Sequence, residues 1–214
     1  MSSSSRDQIL SRVRSALAPL PERAALPNWD ADLIHLRTAA ANASPAAPAA
    51  ATDLWSLFAE RMRAVNGTPF ATPADLVAYL TAQNCLHGYC DPALHAELSP
   101  FFPDTFTFET TFDRTRIDDY QFGLTLAAGA IAETGTLILS DATTSSRLGA
   151  LAPWVHIAVI RRATIHPDIS AAVAAFPADP NIVWITGPSK TADVEGILIE
   201  GVHGPGLQAA LLLN

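Results

Sequence analysis

Five short apolar runs stand at residues 105–110, 136–140, 155–160, 182–186 and 209–213, and all but the first are near-continuously apolar instead of alternating. A strand with one wet face alternates, whereas a strand covered on both faces does not. Helical patterns surround these runs. Residues 53–65 place Leu54, Trp55, Phe58, Met62 and Val65 on one stripe, Thr72 and Pro73 open a second helix that runs to Gln83, and residues 167–176 suit a third. Strands buried on both faces and interleaved with helices predict an α/β fold, a three-layer, mostly parallel sheet with helices on both faces. With 214 residues, 49% of them hydrophobic, the chain can bury the core that such layers need.

The chain begins differently. Residues 6–17 put Ile9, Leu10, Val13 and Leu17 at helical spacing, with Arg12 and Arg14 on other faces, as in a short amphipathic docking arm. A homo-oligomer would form through this arm. Pro19, Pro21 and Pro27 follow, and then an Ala/Pro-rich stretch at residues 38–51 with little to pack, which reads as a linker. The expected division is an N-terminal helix and linker at residues 1–51 and an α/β domain at residues 52–214.

Charge removes one class of function. The formal net charge is −8; residues 1–66 hold seven Arg against six acidic residues, and residues 67–214 hold six basic against fifteen acidic. Nucleic acid binding needs clustered Lys and Arg, and outside the arm with Arg6, Arg12 and Arg14 there is no such cluster. No run of 18 apolar residues occurs, the N-terminal residues lack a secretory apolar core, and two cysteines cannot build a disulfide framework. A cytoplasmic protein with no membrane span is expected.

Two loops are the leading candidates for chemistry. Gly187-Pro188-Ser189-Lys190-Thr191-Ala192-Asp193 follows a strand and is read as a turn into a short helix. Gly187 permits close backbone approach, and Ser189 or Thr191 is placed to cap the helix and leave N–H groups for a phosphate or carboxylate. Lys190, the only lysine beside twelve arginines, would add charge, and Asp193 would sit in the first helical turn. The second loop runs from Ala128 to Thr136 and sets Glu133 among small residues, with Thr134, Gly135 and Thr136 beside it. A desolvated carboxylate at an apolar strand end suits a general base or nucleophile, and a carboxylate that only pins the turn is the structural alternative. A third segment, residues 201–206, sets His203 next to Gly204 as an acid, a base or an orienting group.

Other chemistries lack their residues. The Lys190 loop misses the Gly-Lys-[Ser/Thr] order of a triphosphate-binding loop, and neither a dinucleotide fingerprint nor a nucleophile elbow is present. The spacing Cys85, His87, Cys90 with His95 is not that of common zinc modules, so no metal site is expected.

The strings Ala-Ile-Ala-Glu-Thr-Gly-Thr-Leu (130–137), Val-His-Ile-Ala-Val-Ile (155–160), Thr-Gly-Pro-Ser-Lys-Thr-Ala-Asp-Val-Glu (186–195) and Gly-Val-His-Gly-Pro (201–205) resemble the lactate-utilization protein C family, the LUD domain. Lys190 departs from it, since the family usually has Arg there, and Lys loses the planar two-pronged fork. The resemblance implies a fold like that of the sugar-phosphate isomerase and CoA-transferase superfamily. It implies a part in oxidising L-lactate to pyruvate, with a small anionic metabolite as ligand and with partner proteins that carry iron-sulfur clusters. This chain is expected to bind no cofactor directly, because two cysteines cannot supply the usual four thiolates. Group transfer on CoA-linked ligands, isomerisation of sugar phosphates, and a non-catalytic regulatory or scaffold role are the competing readings.

Overall fold

The computed structural model describes residues 5–17, 53–176, 181–192 and 197–214. Contacts divide the chain into Met1–Ala51 and Thr52–Asn214. In the first unit the described element is α1, Ser5–Leu17, on which Ile9 and Val13 are exposed. The linker expected at residues 38–51 lies outside the described residues.

The second unit opens with α2 (Leu54–Ala64), β1 (Thr68–Phe70), α3 (Pro73–Ala82), β2 (His87–Cys90) and α4 (Pro92–Leu98). Then come β3 (Thr107–Glu109), β4 (Phe122–Leu126), β5 (Gly129–Ile131), β6 (Thr136–Ser140), α5 (Arg147–Leu151), β7 (Val155–Arg161), β8 (Ile165–His166) and α6 (Ile169–Ala175). The chain closes with β9 (Ile182–Ile185), β10 (Lys190–Ala192), β11 (Leu198–Glu200) and β12 (Leu207–Leu213). Six strands form a sheet in the order β1-β12-β7-β4-β2-β3, and every neighbouring pair in it is parallel. Pro69 sits in β1, at the sheet edge, where a missing N–H breaks no ladder.

Both faces of this sheet are covered, as the apolar runs require. Alternation along β7 sends Val155, Ile157 and Val159 to one side, where they pack with Leu76 and Leu80 of α3 and Leu94 and Leu98 of α4. It sends Ala158 and Ile160 to the other, against Trp55, Phe58 and Met62 of α2 and against Leu137 and Leu139 of β6. A three-layer α/β architecture with a mostly parallel sheet results. Helix starts follow the sequence: Thr72 accepts a hydrogen bond from the Asp75 N–H, and Pro73 occupies the first turn of α3.

Two expectations are corrected. The runs at 136–140 and 182–186 do not enter the parallel sheet. They form β6 and β9, antiparallel neighbours in a second, four-stranded sheet ordered β8-β5-β6-β9. Burial on both faces also describes a strand clamped between α2 and α6, so an apolar run alone cannot tell the two sheets apart. The short helix expected after Gly187 is absent over residues 190–192, where β10 pairs antiparallel with β11 as a two-stranded ribbon. Ser189 and Thr191 therefore cap no helix there.

Candidate functional site

The turn Ala132–Gly135 closes the β5–β6 hairpin, with the Gly135 N–H donating to the Ile131 carbonyl at 3.0 Å. Gly135 has φ of +67°, and a Cβ on it would lie 2.4 Å from the Met62 backbone nitrogen. Gly187 has φ of +74°, and its Cβ would lie 2.2 Å from the Val65 carbonyl oxygen. Both candidate loops thus press bare backbone against the C-terminal turn of α2. A chain of hydroxyls joins them, Thr134 to Thr136 at 2.7 Å and Thr136 to Thr186 at 2.8 Å.

Lys190 belongs to the same junction. Its Nζ donates to the Val65 carbonyl at 3.3 Å and lies 3.6 Å from the Glu200 carboxylate, which also accepts from Asn66 Nδ2 at 2.9 Å. A cation on the last carbonyls of a helix complements its dipole, so the single lysine serves α2. Thr191 pairs with Ile199 across the ribbon. Glu133 is exposed, and its N–H donates to the Pro167 carbonyl at 3.1 Å. Exposure removes the desolvation on which the general-base argument for Glu133 rested. Asp193 lies outside the described residues.

A cleft opens beside this junction. It has a volume of about 280 Å³, and its polar lining comes from Thr186, Ser189, His203 and Gln208 with the backbone of Gly187 and Gly204. Two hydrogen bonds hold its rims together, from the Ser189 N–H to the Pro205 carbonyl at 3.0 Å and from the Gly201 N–H to the Ser189 carbonyl at 2.9 Å. Gly187, Ser189, His203 and Gly204 are thereby brought together, while Glu133, Thr134, Gly135, Thr136, Lys190 and Thr191 do not line the cleft. The cleft stands at the amino end of β12, since Pro205 leads into that strand and Gln208 is its second residue. Binding beyond carboxyl ends is a rule for open parallel sheets, and here the loops come from a second sheet and a ribbon. A second cleft of about 330 Å³, with Asp118, Tyr120 and Trp154 on its walls, shares Leu151 and Gly204 with the first.

Behind the first cleft runs a buried polar chain that the sequence reading did not single out. His156 Nδ1 lies 3.0 Å from Gln208 Oε1, and His156 Nε2 lies 2.8 Å from Thr125 Oγ1. His156 is 0% exposed, Thr125 0% and Gln208 2%. Register explains the alignment: Gln208 pairs with His156, and Ala158, two residues on and on the same face as His156, pairs with Thr125. Burial pushes His156 down to about 4, so the ring is neutral. The one local signal was His156 inside the apolar run at 155–160; Thr125 and Gln208 lie outside the runs.

No group of three or more His, Cys, Asp or Glu side chains among the described residues is placed to hold a metal ion. Cys85 and Cys90 pack in the apolar cluster under α3 and α4, and burial with the nearby Asp91 carboxylate pushes the Cys90 thiol up to about 12.

Two expected outcomes test this geometry. Gly135→Ala and Gly187→Ala should each cost more than about 2 kcal/mol in urea unfolding, because positive φ and a backbone clash add. His156 should make stability depend on pH. Above its ordinary value of 6.5 both states are neutral at this ring; below it only the unfolded chain takes a proton, until the folded ring also titrates near 4. Stability should therefore be full above pH 6.5 and fall by about 3 kcal/mol towards pH 4. His156→Gln should flatten that slope in parallel urea titrations.

Comparison with known proteins places the fold. The family model of the LUD domain matches residues 76–213. Lactate utilization protein C of Bacillus licheniformis is 34% identical over 98 residues, 42% of this chain and 41% of that protein. The protein of the same name from Deinococcus radiodurans is 34% identical over 107 residues, covering 48% and 50%. The chain thus matches half or less of the length of these relatives. The crystal structure of a DUF162 family protein from Deinococcus radiodurans superposes with a TM-score of 0.58 at 24% identity, over 78% of this chain and 100% of that one, a likeness of fold. With its family model matched over well more than half its length, the chain belongs to the LUD-domain family.

Proposed function

We propose that this protein takes part in L-lactate utilization by binding a small carboxylate in the cleft between the Gly187–Ser189 loop and the His203–Pro205 loop. The observation that carries the reading is the convergence there of Ser189, His203 and Gln208 with the backbone of Gly187 and Gly204. A hydroxyl, an imidazole and bare backbone can hold a carboxylate without a fixed cation nearby. The names of the relatives supply the metabolite class.

Oxidation of lactate to pyruvate removes two electrons, and this chain is proposed to rely on iron-sulfur partner proteins to accept them. Both of its cysteines lie in the apolar core, which supports that division of labour. His203 is the residue in the cleft able to move a proton at the bound hydroxy acid. Glu133 and Lys190 are not given catalytic roles, since the first is exposed away from the cleft and the second is paired with Val65 and Glu200. Among the described residues, no helix is long and apolar enough to cross a membrane.

Complementation tests the assignment. In a strain lacking the gene, the wild-type chain should restore growth on L-lactate, whereas Ser189→Ala combined with His203→Ala should lower the growth rate at least about fivefold with the folded protein still present by immunoblot. Full growth with the double variant would remove the cleft from lactate utilization.

A further inference from the structure

Three buried polar side chains on one face of the central strands of a parallel sheet carry a desolvation cost that an apolar trio of similar volume would avoid. Thr125, His156 and Gln208 occupy such positions on β4, β7 and β12, facing the layer built by α2 and β6. Every hydrogen-bonding direction within the trio is determined. The Gln208 amide nitrogen donates to the carbonyls of His156, at 3.4 Å, and Ala209, at 3.1 Å. A flipped amide would turn its oxygen onto those two carbonyls, so Oε1 must face His156. Nδ1 of His156 therefore carries the ring hydrogen and donates to Oε1, which leaves Nε2 bare to accept from the Thr125 hydroxyl.

The inventory of the Gln208 amide then has one vacancy. Both N–H groups are used, one lone pair of Oε1 is used, and among the described residues no hydrogen-bond donor takes the second. Gln208 is part of the wall of the cleft. A group that can only accept, and that is locked from behind against rotation, discriminates between ligands by whether they bring a donor.

Resting on the carboxylate-binding reading of the same cleft, we propose that Gln208 is its specificity-determining residue: Oε1 accepts a hydrogen bond from a hydroxyl on the ligand and so selects a 2-hydroxy acid over the corresponding 2-oxo acid. A 2-oxo group presents only lone pairs, and lone pair against lone pair is repulsive in a buried site. Ser189 and His203 take the carboxylate that both ligands share. His156 acts through Gln208 as a positioning residue, and Thr125 donates to the Nε2 that the resulting tautomer leaves bare.

Isothermal titration of the full chain with L-lactate and with pyruvate is the test, and the ratio of the two dissociation constants is the readout. The wild type should favour L-lactate by about tenfold or more, the loss expected when one buried acceptor meets no donor. Gln208→Met removes the acceptor at similar length and should bring the ratio within about twofold, while L-2-chloropropionate, which keeps the carboxylate but has no hydrogen to give at C2, should bind the wild type no better than pyruvate does. A wild type that binds both ligands equally, or a Gln208→Met protein that still prefers L-lactate, would overturn the role of Gln208 and leave the carboxylate site standing. A wild type that binds neither would overturn the carboxylate site, and this inference with it. Should Gln208→Met fail to fold, the wild-type ratio and the affinity for L-2-chloropropionate still decide the matter, since chloropropionate binding as tightly as L-lactate would overturn the inference.

Discussion

Backbone packed on backbone at the C-terminal turn of α2 is the contact on which the arrangement of the loops depends. Gly135 and Gly187, in different strand connections, both take up positive φ and approach Met62 and Val65 more closely than any Cβ allows. A helix end leaves its last carbonyls without partners inside the helix; here the Gly67 and Asn66 N–H groups take those of Met62 and Arg63, and Lys190 takes that of Val65. Three segments distant in sequence are held at one point, and the Gly187 loop, fixed there, forms one rim of the cleft.

This geometry gives the two most recognisable motifs of the chain unequal work. The Ala-Glu-Thr-Gly-Thr turn contributes a glycine that fits against α2 and a hydroxyl chain that reaches Thr186, both of them structural services. The Gly-Pro-Ser-Lys loop splits: Gly187 and Lys190 serve the helix end, and Ser189 faces the cleft with His203. A residue pattern distinctive enough to mark a family can thus record a packing solution as much as a chemical one.

The sequence made the layers legible because strands covered on both faces cannot alternate, and the helices over 53–65 and 73–83 because their stripes and the Thr72-Pro73 start carry physical signals. It concealed β2 and β4, since His87-Gly88-Tyr89-Cys90 and Phe122-Gly123-Leu124-Thr125-Leu126 mix glycine and polar residues into short runs. It also misassigned 136–140 and 182–186, because apolarity reports burial and says nothing of which sheet does the burying. In the candidate site, Ser189, His203 and Gly204 were legible as polar or flexible residues in loops. Gln208 and His156 were not, because their partnership depends on the register between β12 and β7, which no local pattern encodes.

Amide shifts of the isotopically labelled full chain, followed by NMR during titration with L-lactate, test the central claim most directly. The account predicts saturable shifts centred on Ser189, His203, Gly204 and Gln208, with Glu133 and its turn little changed. Shifts centred instead on Glu133 or on the Lys190–Glu200 pair, or no saturable shifts at all, would contradict it.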